Sequence, residues 1–293
     1  LIKMRNLSCY LCGSTNNIIR LGSVRDSTEI KPLECVDCGL VFLSSVGHIT
    51  EEHYVESGMH GGEMPDIDSW LKETAFGDER RFQFMKEQIT NKTVLDFGCG
   101  AGGFLDCAKL LASEVSGIEL EKALQRSFKE RELNVFSNLQ LAQKDGRKWD
   151  VITVFHIKEH LSDPRKNLSN LSTLLTKQGQ MIIEVPSAND VLLTLYNNQP
   201  FQNFTYWSQH LFLFNSDTLQ KLAKQVGLRI VAIQQYQRYP LSNHLHWLSK
   251  SEPGGHQTWA FLDTPELNEA YSNTLARMGK SDTLIAYLEK NES

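Results

Sequence analysis

The stretch VLDFGCGAGGFL, residues 94–105, decides the reading of this chain. A short apolar run enters Gly98, Gly100, Gly102 and Gly103, and a helical pattern follows over 103–111. A strand that turns on glycines into a helix lets a ligand approach the backbone closely at a helix N-terminus. A nucleotide-like cofactor is implied. Taken alone, Gly98-x-Gly100-x-x-Gly103 also satisfies the dinucleotide fingerprint, with Glu119 in the range of a ribose-binding acid. Asp96 argues against that reading. A dinucleotide loop carries an apolar residue there and leaves room for pyrophosphate, whereas S-adenosylmethionine has no phosphate and offers an amino group that a carboxylate can hold.

Outward from this loop, strand and helix signals alternate. Residues 115–119, 150–155 and 181–185 read as strands, the last ended by Pro186, with helices over 121–132 and 164–175 between them. A capped helix at 216–226, a strand at 228–235 and a last strand at 282–288 follow. This βαβα order predicts an α/β, doubly wound, mostly parallel sheet covered on both faces. Before it, GDERRFQFMKEQI places Phe82, Met85 and Ile89 at helical spacing with Asp78 and Glu79 in the first turn. The Gly-, His- and acid-rich text of 44–76 reads as a linker, from which Tyr54 and His60 can reach a substrate.

The N-terminal text carries Cys9-x2-Cys12 and Cys35-x2-Cys38. Two CxxC turns separated by room for a short β-ribbon predict a closed four-thiolate site, with zinc as its occupant in a structural role. The competing reading is a pair of disulfides or redox motifs, which a cytosolic chain disfavours and no thioredoxin-like pattern supports. Four thiolates leave no vacancy for His48 or His53, and no open position for chemistry.

Composition bounds the rest. The 293 residues carry 30 Lys+Arg against 35 Asp+Glu, a net charge of −5, and six cysteines, with 41% hydrophobic residues. The length suffices for a proper core without disulfides. A net negative chain lacks the broad cationic footprint of nucleic-acid binding. No apolar window reaches the length of a membrane span, and the opening LIKMRNLSCYLC has no signal-peptide core, so a cytoplasmic location is expected.

The ordered set hDxGxGxG, then Glu119 after SGIEL, then WDVITVFHIKEHLSDP, then GQMIIEVP resembles the class I S-adenosylmethionine-dependent methyltransferases over about 91–290. The resemblance implies a Rossmann-like, seven-stranded sheet with an antiparallel last strand. It further implies that Asp96, Phe97, Gly98, Gly100 and Gly102 surround the methionine portion of the cofactor. Glu119, with Leu120 beside it, would take the ribose hydroxyls, Asn138 the adenine side, and Phe155 and His156 positions beside the cofactor.

Methyl transfer from a sulfonium is an in-line displacement, so a hydroxyl acceptor needs positioning and loss of its proton. His156, Glu159, His160 and His210 are the candidates for this work. The Glu159–His160 pair can equally fix the start of its helix, and His210, the preferred base, can equally be a packed histidine. The four-cysteine module, tyrosine-bearing linker and long C-terminal part also resemble bacterial sugar methyltransferases, including C-methyltransferases of nucleotide-linked keto-sugars. Their Tyr-His-Glu-His motif reads Trp207-Ser208-Gln209-His210 here. Loss of the phenol and carboxylate favours O-methylation of a sugar or nucleotide-sugar over C-methylation. The same sequence leaves room for an RNA methyltransferase, against which the net charge weighs, and for a non-catalytic protein that keeps the cofactor fold.

The expected organisation is a zinc ribbon at 1–45, a linker and leading helix at 46–90, and the methyltransferase domain at 91–293. A substrate-binding insertion is expected at about 237–265, with Arg238, Tyr239, His244 and Trp247, joined by Tyr54 and Tyr206, as acceptor contacts.

Overall fold

Buried β-branched and aliphatic runs assemble a central sheet in a computed structural model that describes residues 3–4, 7–49, 55 and 66–291. The strands are β1 (Lys3–Met4), β2 (Asn17–Ile19), β3 (Pro32–Cys35), β4 (Val41–Leu43), β5 (Thr93–Phe97) and β6 (Glu114–Ile118). They continue with β7 (Asn134–Phe136), β8 (Trp149–Phe155), β9 (Leu175–Pro186), β10 (Phe212–Leu213), β11 (Leu228–Tyr236) and β12 (Thr283–Lys290). The helices are α1 (Ile67–Ile89), α2 (Gly103–Ala108), α3 (Gln125–Glu130), α4 (Leu139–Asp145) and α5 (Pro164–Ser172). After them come α6 (Gln199–Thr205), α7 (Ser216–Gln225), α8 (Leu241–Lys250), α9 (Gly255–Thr258) and α10 (Pro265–Arg277).

The seven-stranded sheet has the order β11-β12-β9-β8-β5-β6-β7. Strands β5 to β9 pair in parallel, while β12 runs antiparallel to both β9 and β11. This is the doubly wound α/β sheet expected from the sequence. From β5 the chain winds outward through β6 and β7, then returns to the other side of β5 with β8. The direction therefore reverses between β5 and β8, and a crevice opens beyond their carboxyl ends.

Helix α1 begins at Ile67 and not near residue 78, because Asp66 caps it by accepting from the Ser69 amide at 3.0 Å, and the helix runs straight through Gly77. It buries Phe82, Met85 and Ile89 against the sheet. Tyr54, His53 and His60 lie outside the described residues. Between β11 and β12 the chain leaves the sheet for α8, α9 and α10, an excursion longer than 237–265. Thr264 caps a further helix that starts at Pro265 and extends it.

The N-terminal strands do not form a separate bead. Strand β4, buried at every position, pairs antiparallel with β10, Phe42 opposite Phe212, which gives a second sheet of order β1-β2-β3-β4-β10. The buried cluster around Leu33, Leu40 and Phe42 is continuous with that of the central sheet. A three-residue apolar edge strand left open would be a pairing hazard, and β10 closes it.

Candidate functional site

The crevice beyond β5 is built from its first turn. Gly98, at φ +75°, accepts no side chain: an added Cβ would sit 2.7 Å from Ile157 Cγ1, in a backbone region that favours glycine. The Gly98 amide donates to the Ile118 carbonyl at 2.8 Å, which locks the loop to the end of β6. Asp96 is buried at the end of β5 and accepts from Thr153 Oγ1 at 2.7 Å. Burial pushes its carboxyl up to about 7. Asp96, Gly98, Gly100 and Phe155 line one small cavity, walled on the other side by Trp70, Asp78 and Arg81 of α1.

Glu119 follows β6 directly. Its Oε2 accepts from the Gly100 amide at 2.8 Å and its Oε1 from the Glu121 amide at 3.0 Å. Burial raises its carboxyl above the usual range, opposed by these amides. Beyond it Phe97, Leu120 and Asn138 line a second cavity of about 270 Å³, together with His160 and Asn167. Asn138 Oδ1 is engaged as the cap of α4, accepting from the Leu141 amide at 2.9 Å.

A third and larger cavity, about 370 Å³, opens where β8 and β9 end. His156 enters it from β8 at φ +54°, a left-handed conformation that costs a non-glycine residue on the order of 1 kcal/mol and must be held in place. Two carboxylates hold it: Nδ1 lies 3.1 Å from Glu159 Oε1 and Nε2 lies 3.0 Å from Glu184 Oε1. Glu184, 1% exposed, also binds Arg80 at 2.7 Å and Arg81 at 3.2 Å from α1. Burial opposes its ionisation, yet His156 and the two arginines hold its carboxyl far below the usual range.

Glu159, His160 and His210 converge on the same wall, each offering a ligand atom within 4.8 Å of the others. The His160 and His210 ring centroids are 4.9 Å apart. His160 Nδ1 donates to the Gln209 carbonyl at 2.9 Å, which fixes the orientation of its ring. Burial, with His160 next, pushes His210 down to about 4, so it is neutral at pH 7. Among the described residues its buried Nδ1 has no hydrogen-bond partner, nor has Glu159 Oε2.

The insertion supplies the roof. Asp282 accepts from the Arg238 and Tyr239 amides at 3.0 and 3.1 Å and so fixes the entry of the excursion. Arg238, Tyr239, His244 and Trp247 all line the cavity. Trp247 packs on Phe201 and Phe204, each at 5.2 Å between centroids, and His244 Nδ1 faces the Tyr271 hydroxyl at 2.8 Å. Tyr206 is not on this wall. It ends α6, is 2% exposed, and lays its ring beside Gly22 of the N-terminal module, so it is not placed to touch an acceptor here.

Several lining residues escaped the sequence reading. Arg25, from the N-terminal module, reaches the cavity and stacks over Trp207 at 4.5 Å. The module thus contributes a side chain to the cavity wall, although its cysteines take no part there. Asp190 and Asp282 also line it, and burial, then the Asp282 charge, pushes Asp190 up to about 8. No local motif marks Arg25; the paired arginines of GDERRF were the available signal for the Glu184 anchor.

In the module, Cys9 Sγ lies 3.5 Å from Cys38 Sγ and Cys12 Sγ 3.5 Å from Cys35 Sγ, all four within 4.8 Å of one another. A disulfide needs about 2.05 Å, whereas a tetrahedral ion at about 2.3 Å from each thiolate sets the sulfurs about 3.8 Å apart. The donor set fits a tetrahedral thiophilic ion. Among the described residues, no helix is long and apolar enough to cross a membrane.

A doubly wound sheet with a glycine turn after β5 and an acid after β6 defines a nucleotide-cofactor enzyme, and comparison with known proteins says which. Residues 69–233 match the methyltransferase domain family, and the chain belongs to it. The chain is 24% identical over 176 residues to the ubiquinone biosynthesis O-methyltransferase of Coxiella burnetii (strain Dugway 5J108-111), covering 56% of this chain and 75% of that protein. A second, from Hydrogenovibrio crunogenus, is 23% identical over 162 residues, covering 50% and 67%. The fold is similar to that of the plantazolicin methyltransferase BpumL, solved in complex with a monoazolic desmethylPZN analog and SAH. The TM-score is 0.52 and the identity 17%, over 83% of this chain and 95% of that one. The protein is an S-adenosylmethionine-dependent methyltransferase.

Proposed function

We propose that this enzyme methylates a hydroxyl oxygen of a sugar or nucleotide-linked sugar held in the large cavity. The observation that carries the proposal is the continuity of the site: Phe155 lines the methionine-side cavity, His156 the large one, and His160 both the large and the adenine-side ones. An acceptor in the large cavity therefore lies against the cofactor. Asp96 would take the amino group of the cofactor, Glu119 its ribose hydroxyls, and Leu120 and Asn138 would border the adenine. Among His156, Glu159, His160 and His210, we assign His210 as the base, because its neutral ring has a lone pair with no other use.

The acceptor assignment rests on the lining. Phe204, Trp247 and Tyr239 offer faces for a pyranose, and Arg25 and Arg238 offer donors for a phosphate. Oxygen is favoured over carbon because Gln209 supplies no carboxylate, and the relatives above are named as O-methyltransferases. Those names also support a second reading, a phenolic acceptor. The module's cysteines we assign to one structural zinc ion, and the boundaries near 45 and 90 to a ribbon and a leading segment.

The test is a panel of sugar nucleotides, free sugars and catechols incubated with methyl-labelled cofactor and read by mass. A gain of one methyl on a sugar hydroxyl, reduced at least about 100-fold in His210→Ala with cofactor affinity intact, is expected for a general base. Transfer to catechols alone would replace the sugar reading, and full activity of His210→Ala would remove it as the base.

A further inference from the structure

The Glu159, His160 and His210 cluster is built more completely than a general base requires. A base needs one lone pair and one orienting partner. Here two imidazoles and one carboxylate, from two separated segments, bring ligand atoms within 4.8 Å of one another on the cavity wall. Glu159 is 0% exposed, and its Oε2 has no hydrogen-bond partner among the described residues, although Oε1 is engaged with His156. His210 likewise has a buried Nδ1 without a partner among those residues. The Gln209 carbonyl takes the Nδ1 proton of His160, the outer hydrogen bond that sets a histidine tautomer for ligation. Two buried polar atoms in one cluster, each without a hydrogen-bond partner among the described residues, are costly unless a group that both can bind sits beside them.

We propose that Glu159, His160 and His210 form a divalent-cation site, distinct from the four cysteines, that binds the acceptor through its oxygen atoms. Two histidines and one carboxylate on one side of an ion leave its other positions open toward the cavity, and the ligand set suits Mn2+, Fe2+, Co2+ or Zn2+ in preference to Mg2+ or Ca2+. Neighbouring hydroxyls of a sugar, or a hydroxyl and a phosphate oxygen, chelate such an ion. The inference rests on the hydroxyl-methylation reading and alters one role in it: with the ion bound, His210 is a ligand and the ion acidifies the hydroxyl. The hydroxyl proton leaves to water at the cavity mouth. The oxygen then bonds to the methyl carbon, the carbon–sulfur bond breaks, and its electron pair stays on sulfur as the neutral thioether. The ion keeps its oxidation state throughout.

The experiment uses the full chain with its cysteines loaded as purified. Mn2+ is titrated in and the free ion followed by its electron paramagnetic resonance signal, with S-adenosylhomocysteine binding measured in parallel as the check on folding. One Mn2+ bound per wild-type chain is expected, with that binding lost in Glu159→Gln and in His210→Ala while S-adenosylhomocysteine binding stays within about twofold. Wild-type protein that binds no Mn2+, Co2+ or Zn2+ beyond the ion of the cysteines overturns the site, as does binding unchanged in both variants. Turnover separates this from the reading beneath it. Transfer to a sugar that resists a chelator and gains nothing from Mn2+ overturns the metal role and leaves hydroxyl methylation standing. Mn2+ binding as described with no transfer to any hydroxyl keeps the site and removes that reading.

Discussion

Replacing Glu184 by Gln tests the anchor that joins the leading helix to the reactive wall. The side chains differ by one charge and little volume, so packing is preserved while Arg80 and Arg81 lose their shared counter-ion. Removing one partner of a buried ion pair costs about 3–5 kcal/mol because it strands the remaining charge. The lower end applies here. The arginine side chains keep 12% and 16% exposure, and Arg81 retains Asp78 at 3.4 Å. A loss of about 3 kcal/mol should lower Tm by about 6–12 °C at about 2–4 °C per kcal/mol. Because Arg81, Asp78 and Trp70 wall the cavity beside Asp96 and the glycine turn, where we propose the cofactor binds, S-adenosylhomocysteine affinity should fall as well. Differential scanning calorimetry and titration calorimetry measure both. Replacing Arg80 by Met in the Glu184→Gln background should recover part of the loss, since it removes one of the stranded charges. A Tm within 2 °C of wild type for Glu184→Gln, at about the resolution of one weak surface interaction, would refute the buried-anchor argument.

The other predictions concern the cofactor and the module. Glu119→Ala should weaken S-adenosylhomocysteine by about 30-fold or more, since each charge-assisted hydrogen bond to ribose is worth about 1.5–3 kcal/mol; unchanged affinity by calorimetry would remove the ribose assignment. Gly98→Ala should abolish cofactor binding, because the new methyl meets Ile157 at a left-handed φ, and equilibrium dialysis with labelled cofactor would reveal any survival. Asp96 titrates near 7 in the folded chain, above its unfolded value near 4. The chain without cofactor should therefore lose stability as pH rises from about 4 to 7 and level off above. S-adenosylhomocysteine, whose ammonium favours the ionised carboxyl, should bind more tightly over that window, and Asp96→Asn should flatten both profiles. Metal analysis should return one tightly held zinc ion per chain, absent in Cys35→Ser.

What the sequence disclosed was local in character. The glycine loop, Asp96 and Glu119 lie within one βαβ unit, so their spacing alone places them together at the carboxyl ends of β5 and β6. The N-terminal thiols are equally local, two turns and a ribbon. The start of α1 was hidden because Gly77 looks like a boundary, whereas open space around it lets the helix pass at a cost near 1 kcal/mol. Arg25 and the Arg80–Arg81–Glu184 anchor were hidden for another reason: each depends on which distant strand end a side chain meets, and no short window records that. Tyr206 shows the converse. Its aromatic neighbours resemble an acceptor wall, yet the end of α6 directs it under the N-terminal module.

The pairing of β4 with β10 has a bearing on how the chain acquires its fold during synthesis. The second sheet cannot be finished by the N-terminal segment alone, for Phe42 must wait for Phe212 and the Leu43 amide for the Leu211 carbonyl. Until then one edge of a fully apolar strand stands uncovered, and the loop to be closed holds β5 to β9, five of the seven strands of the central sheet. Such distant pairing is slow to form and leaves sticky edges in the meantime. The large cavity draws on Arg25 before this pairing and on Arg238 and Trp247 after it, so its walls come together only once both ends of the chain are made, later than the glycine turn between β5 and β6.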